Sequence, residues 1–351
     1  MKTKTLSAVM KIVSRISNPS SLTSLYRSIE VNSVGVRACS EFGNIEIFTD
    51  NTGLKETALL DCGALSAIAG TLPSNGEVVF DEQPSKINWS CDSAKGHLSR
   101  VQTDYTVPQI KHENYPWAPP EDLGNALVLA SSACQAAAVS FGLYGIVMEP
   151  DNNKLHIAST NSISLASTTV DLGSYPAQKV TLRPPVPSII ATLIAATKNP
   201  TLDITTEGIF ILGDDLKAHL PLGVALDHDV KQMSDKYVGG KQIAKINSDA
   251  VKKFIKRAQS LTDKKATFNI ALKIEEGKLI LNHIGISSSV EEWMLADGLP
   301  TTVKYESRSF PGDMLVVPLD FIQDVVLDFL DSQQLVLRGS KPEFLYVVSG
   351  T

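Results

Sequence analysis

An α+β fold made of one unit used three times is what this sequence predicts, and three observations predict it. Strand-like segments that alternate apolar and polar residues recur at a spacing of roughly 115 residues. Each is followed, after a few further strands, by an apolar helix and then by another strand pair. A further helix stands ahead of each unit. Helices and antiparallel strands in this order settle with the helices on one face of a sheet, so each unit should hold two helices on antiparallel strands.

The elements can be justified in turn. The marker strands are NIEIFTDN at 44–51, KLHIASTN at 154–161 and KLILNHIG at 278–285, each running out into a polar turn as a half-buried strand should. The apolar helices are GALSAIAGTLPS from 63, VPSIIATLIAATKNP from 186 and PLDFIQDVVLDFLDS from 318. The second and third carry proline near the first turn, where its missing N–H costs nothing. The closing strand pairs are EVVFDEQPSKINWSC, TLDITTEGIFILG and QLVLRGSKPEFLYVV. The leading helices are LSAVMKIVSRISN from 6, ASSACQAAAVSFG from 130 and SDAVKKFIKRAQSL from 248. Breaks fall at the proline-rich NYPWAPPEDLG (114–124) and the glycine-rich YVGGK (237–241), which divides the chain into domains 1–118, 119–239 and 240–351.

Composition narrows the function classes. With 351 residues and 43% hydrophobic content, the chain can bury more than one core. It holds no apolar run near the roughly 20 residues that span a bilayer, so no membrane partner is expected. Lys11 and Arg15 interrupt the N-terminus where a signal peptide needs an apolar block; a helix that stays on the protein is the reading, a cleaved amphipathic presequence the alternative. Cys39, Cys62, Cys91 and Cys134 stand singly, which favours reduced thiols and a cytoplasmic protein.

Catalytic and metal chemistry finds little footing. The histidines (His97, His112, His156, His219, His283 and His228) are scattered, with no second ligand at i+4. LDHDV at 226–230 groups Asp227, His228 and Asp229, but adjacent strand residues point to opposite faces, so at most two could share a metal. VGGKQI is too short for a phosphate-binding loop, and the serines of SISLAS and SSACQ lack a nucleophile-elbow context. No cofactor, metal or catalytic residue is therefore expected.

Charge is the more informative feature. The formal net charge is −6, yet the stretch from 248 is strongly basic. On a helix, Val251, Phe254, Ile255, Ala258 and Leu261 share one stripe, and Lys252, Lys253, Lys256 and Arg257 fall on an arc of about 140° at 100° per residue. A solvated face is the plain reading of such a run. Against it, the first helix carries Lys11 and Arg15 at i, i+4 and Lys198 follows the helix from 186, while acids gather in FDEQ, GDD, SSVEEW and DFLDS. If all the helices line one surface, that surface alone attracts phosphates. Aromatics make up 6% of the chain and are not interleaved with these cations, so contacts to a duplex would position it without reading its bases.

The order of these features resembles the bacterial sliding clamp, the beta subunit of DNA polymerase III. GIVMEPDNNKLHIASTNSISLA (145–166) is similar to the family's second-domain stretch with its ATDGHRLA signature, FLYVVSGT (344–351) to its C-terminal YVVMPM, and IKHENYPWAPPEDL to its FPNLDDW junction. The resemblance implies a homodimer ring of six repeat units around double-stranded DNA, with helices inside, contacts independent of sequence, and no catalysis. It implies that domain 1 of one chain meets domain 3 of the other, which makes ATFNIALKI (266–274) and Leu261 the interface candidates. It also implies a peptide groove for DNA polymerase and clamp-loader motifs, with Leu143, Thr160, Ile163 and Leu165 on one wall and Val347 and Ser349 on the other. The DNA-facing candidates are Lys11, Arg15, Lys198, Lys252, Lys253, Lys256 and Arg257. The sequence departs from the pattern at Asn161 to Ser164 and at Ser349, Gly350 and Thr351, where the family shows Gly-His-Arg after Asp and Met-Pro-Met. Methionine suits promiscuous grooves; its absence there points to a differently shaped pocket, as would suit a phage-encoded clamp. A virion or other structural protein without a ring, and an enzyme of unknown chemistry, are the competing readings.

Overall fold

The structure, a computed structural model, describes residues 1–18, 21–103, 106–134, 145–161, 163–224, 229–238, 244–262, 268–285, 288–295, 305–320, 324–330, 334–340 and 343–349. In chain order the elements begin with α1 (Thr3–Ile16), α2 (Ser24–Arg27), β1 (Ser28–Asn32), β2 (Gly35–Ser40), β3 (Gly43–Phe48), β4 (Ala58–Asp61), α3 (Cys62–Thr71), β5 (Val79–Glu82), β6 (Lys86–Cys91) and β7 (Ala94–Ser99). They continue with α4 (Leu123–Cys134), β8 (Ile146–Asp151), β9 (Lys154–Thr160), β10 (Ser164–Asp171), β11 (Val180–Leu182), α5 (Val186–Ala196), β12 (Thr201–Ile204), β13 (Ile209–Leu212) and β14 (Leu216–Leu220). The last are α6 (Val230–Val238), β15 (Ala244–Asn247), α7 (Ser248–Leu261), β16 (Asn269–Glu275), β17 (Lys278–Ile284), β18 (Ser289–Leu295), β19 (Tyr305–Pro311), α8 (Asp313–Asp320), β20 (Asp324–Leu330), β21 (Gln334–Ser340) and β22 (Glu343–Ser349). Among the described residues, no helix is long and apolar enough to cross a membrane.

Two compact units emerge. The first comprises Met1–Pro119 and Ile189–Leu222. Its main sheet runs β12-β13-β14-β3-β2-β1-β4, and a smaller one runs β5-β6-β7. α1 buries Leu6, Val9, Met10, Val13 and Ile16, the stripe expected of an amphipathic helix, and packs on α3, β2 and β3. α3 starts where the Asp61 carboxylate accepts from the Ala64 N–H at 2.8 Å, satisfying one of the free donors of its first turn. β14 joins β3 beside Gly43, whose φ is 133° and whose Cβ would lie 2.3 Å from the His219 carbonyl oxygen; only glycine allows the two strands that close.

The second unit comprises Pro120–Ser188 and Gly223–Thr351. An eight-stranded sheet, β11-β8-β9-β10-β22-β21-β20-β15, accompanies a four-stranded one, β18-β17-β16-β19. Between its helices and sheets lies a core that includes Leu129, Ala166, Phe254, Ile270, Phe310, Leu319 and Tyr346. α7 enters it with Val251, Phe254, Ile255 and Ala258 and is capped by Asn247, whose side chain accepts from the N–H groups of Asp249 and Ala250. Phe254 is fully buried, and emptying such a site typically costs about 3–5 kcal/mol.

The structure corrects three expectations. The helix expected from 318 is instead the end of α8, which spans Asp313–Asp320, followed by strand β20 at Asp324–Leu330. Its apolar run fits either element by composition, and β-branched Val325 and Val326 with partners on both sides, β15 and β21, decide for the strand. The second leading helix begins at Leu123, seven residues before the expected start, and residues 135–142 of that expectation lie outside the described residues. The strand expected over 266–274 is β16, but β17 and β19 pair with it on either side. An interior strand has no free hydrogen-bonding edge, so β16 cannot be where another chain adds.

Candidate nucleic-acid interface and peptide groove

In the first unit, Lys11 and Arg15 are exposed on α1, opposite its buried stripe, and Lys198 is exposed two residues past α5. None of the three has an ion-pair partner among the described residues. In the second unit, the apolar anchoring of α7 forces its other side into solvent, and that side carries the four expected cations. They are not equivalent. Lys252 lies 3.7 Å from Asp249 and 3.5 Å from Asp320, and Arg257 is bonded to the Glu292 carboxylate of β18. Lys253 and Lys256 are exposed and, among the described residues, without an acidic partner. α4 offers no cation: its described face is Leu123, Ala126, Leu127, Leu129 and Ala130, all buried.

The groove candidates also converge, apart from Leu143, which lies outside the described residues. β10 bridges β9 and β22, with Leu165 opposite Thr160 on one side and Val347 on the other. Beyond the register, the Ser349 N–H donates to the Ile163 carbonyl at 2.8 Å. Asn161 shapes the turn between: its side-chain oxygen accepts from the N–H groups of Ile163 (3.0 Å) and Ser164 (2.7 Å) and from the Ser164 hydroxyl (3.1 Å). Thr160 donates to the Ser164 carbonyl at 2.8 Å. Around Leu165 and Val347 an apolar floor continues through Val147, Ala158, Val336 and Leu345, with Met233 of α6 packed against it. Period-2 alternation along β9 and β10 places Ala158 and Leu165 on the face shared with Thr160. Met233 carries no such signal, because a helix dictates it from elsewhere in the chain.

Beside this floor, His156 is buried with its Nε2 at 2.8 Å from the Ser167 hydroxyl and 3.4 Å from that of Ser234. Burial first, and then the Lys231 ammonium, hold its imidazole below the usual range, against the opposite pull of Asp235, Glu149 and Asp151. Burial pushes the Cys39 and Cys134 thiols up to about 11, and no cysteine is disulfide-bonded. Among the described residues no three His, Cys, Asp or Glu side chains gather as metal ligands. Asp229 sits ahead of α6 and accepts from the Gln232 N–H, while Asp227 and His228 lie outside the described residues.

No protein-family model and no curated protein sequence matches the chain. Solved structures match over its whole length. The Bartonella birtlesii sliding clamp, a DNA polymerase III beta subunit bound to griselimycin, is 15% identical, covers 100% of this chain and 98% of its own, and superposes with a TM-score of 0.79. A protein of Eubacterium rectale provisionally assigned as a DNA polymerase III beta subunit is 17% identical, with 100% and 97% covered and a TM-score of 0.77. The DNA polymerase III beta subunit of Pseudomonas aeruginosa is 15% identical, with 100% and 98% covered and a TM-score of 0.73. The chain therefore has the sliding-clamp fold, and at these identities the likeness is one of fold.

Proposed function

We propose that this protein is a DNA sliding clamp, a non-catalytic ring that encircles duplex DNA and tethers a replicative polymerase. The observation that carries the reading is the end-to-end agreement of its fold with sliding clamps, 100% of the chain at TM-scores of 0.72–0.79. On this reading the chain comprises three clamp domains, 1–118, 119–239 and 240–351, and two chains close head to tail. The free edges support closure. β7 lies at one edge of the β5-β6-β7 sheet and carries Lys95 and His97; β18 lies at one edge of the four-stranded sheet and carries Glu291 and Glu292. Edge strands that have no outer neighbour among the described residues and carry Lys95 on one and Glu291 on the other suit antiparallel addition between chains, and closure removes both edges. Leu261, exposed at the end of α7, stays an interface candidate, with β18 replacing the strand expected at 266–274.

Duplex DNA then passes the helix faces, where Lys11, Arg15, Lys198, Lys253 and Lys256 meet phosphates without reading bases, and topology does the holding. The groove on β9, β10 and β22 receives short apolar peptides of the polymerase and clamp loader. The test is retention. The loaded protein should stay on nicked circular DNA in 0.5 M salt and run off when the circle is cut; equal loss from circular and linear DNA would sink the ring.

A further inference from the structure

The sheets use one arrangement three times and leave two strands over. A four-stranded set recurs as β4-β1-β2-β3, β11-β8-β9-β10 and β19-β16-β17-β18, and a three-stranded meander as β5-β6-β7, β12-β13-β14 and β20-β21-β22. Twice, the last strand of a meander adds to the last strand of a four-stranded set: β14 to β3 and β22 to β10. β7 and β18 are the same two positions, and among the described residues neither sheet extends beyond them. We propose that β7 of a second copy adds to β18 in the register that β14 takes on β3, with Trp293 at the centre of the contact. This rests on the two-chain reading above and names the residues that meet.

Counting from the turns fixes which residues correspond. The β6–β7 hairpin closes with Cys91 opposite Ala94, and the β13–β14 hairpin with the Gly213 N–H donating to the Leu216 carbonyl, so Lys95 matches Lys217 and His97 matches His219. β2 and β17 open alike, Gly35 opposite Asn32 and Lys278 opposite Glu275, and these two residues pair onward with Phe48 and Leu295. Glu46 therefore matches Trp293, and Asn44 matches Glu291. Within the chain Lys217 lies opposite Glu46 and His219 opposite Asn44. Carried to a second copy, that register sets Lys95 opposite Trp293 and His97 opposite Glu291. β22 sits on β10 one residue further along. That register would set the outward Lys95 against Glu292, which points inward to Arg257 of α7, and directly opposed residues share a face of the sheet.

The side chains suit the match. Trp293 is 62% exposed and Leu295 73%, an open apolar area on an edge strand. The Lys278 ammonium already lies 4.9 Å from the centre of the Trp293 ring. Lys95 is exposed and, among the described residues, without an acidic partner; its aliphatic stem can cover the indole while its ammonium stays in water. His97 can donate a ring N–H to the Glu291 carboxylate. A tryptophan closed off in this way is the kind of residue that dominates a subunit contact.

The test is a disulfide across the seam. Opposed residues of an antiparallel pair have Cα atoms roughly 4.5–5.5 Å apart, within a disulfide's reach, and the four native cysteines are buried. Mild oxidation of His97→Cys/Glu291→Cys should join two chains, seen on a non-reducing gel, while His97→Cys/Glu292→Cys, with its thiols on opposite faces, should stay unjoined. Trp293→Ser should raise the dissociation constant of the dimer about tenfold or more, since a two-fold ring feels the change at both seams, with circular dichroism unchanged. A dimer by light scattering in which both cysteine pairs join equally, or neither joins, overturns this register and leaves the two-chain reading standing, and a Trp293→Ser dimer of unchanged affinity removes Trp293 from the contact. A disulfide formed within one chain, or a single-chain mass at every concentration, overturns the two-chain reading and the seam with it.

Discussion

Replacing Lys253 and Lys256 together by glutamine tests whether α7 faces DNA. Both side chains are exposed and unpaired among the described residues, so the exchange should leave stability within about 0.5 kcal/mol. Each phosphate contact neutralised contributes about 0.9 to the slope of log affinity against log salt, so the pair accounts for at most about 1.8 per protomer. Between 50 and 200 mM salt, a fourfold rise, that slope is worth roughly a factor of 12 in affinity per protomer. The assay is equilibrium binding to a fluorescent duplex across that salt range, beside a charge-matched control, Lys55→Gln/Lys236→Gln, whose lysines are exposed away from α7, one between β3 and β4 and one on α6. The expected result is a shallower slope for the α7 variant alone. Equal flattening in the control would mean that overall charge, and not this helix, sets the attraction, and an unchanged slope in both would remove α7 from the interface.

Two further outcomes follow from the same geometry. Proline in place of Glu291 on the free edge of β18 should halve the mass by light scattering, from twice 37.8 kDa to a single chain, with circular dichroism unchanged; a variant that stays at twice the chain mass places the subunit contact elsewhere. His156 is held below its ordinary 6.5 by burial and by Lys231, so the opened or unfolded chain takes up its proton first as the pH falls. Its contribution is therefore favourable above 6.5, declines as the pH drops below that value, and levels off under the folded pKa. The melting temperature of the wild type should fall more than that of His156→Asn between pH 7.5 and 5.5, and parallel curves would refute the assignment.

How much of this was legible depended on whether an element's own residues determine it. α1 and α7 announce themselves because their apolar residues recur at i, i+3, i+4 and i+7 and their cations take the remaining arc. β9 and β17 do so by alternation. The run after Pro318 misleads because its mixture of apolar residues with Asp320, Gln323, Asp324 and Asp328 fits an amphipathic helix as well as a strand, and the two neighbours of β20 that settle the matter come from residues 244–247 and 334–340. β16 reads correctly as a strand and wrongly as an edge, since nothing in a strand's pattern states how many neighbours it has. α6 leaves no trace: VKQMSDKYV is polar and short, and its place over the sheet is a tertiary fact. Leu165 and Val347 were named through resemblance, while Val147, Ala158, Val336 and Leu345 needed the strand order of the eight-stranded sheet before they could be seen as one floor.

The pairing of the α7 cations has a consequence for how the proposed ring would hold DNA. Four positive charges on one helix face suggest a tight electrostatic grip, yet two of them already neutralise acids of their own unit, Lys252 with Asp249 and Asp320 and Arg257 with Glu292. To reach a phosphate, each must exchange one anion for another, which returns little free energy when both ends of the exchange are solvated. Lys253 and Lys256 make no such exchange. Their side chains are long and flexible, and a lysine meets phosphate as a point charge without the fixed fork of arginine, so successive phosphates are interchangeable to it. A helix face that takes its attraction from free lysines and keeps its own arginine, Arg257, occupied favours movement along the duplex over residence at any step, and in the proposed ring it would leave retention to the closed circle.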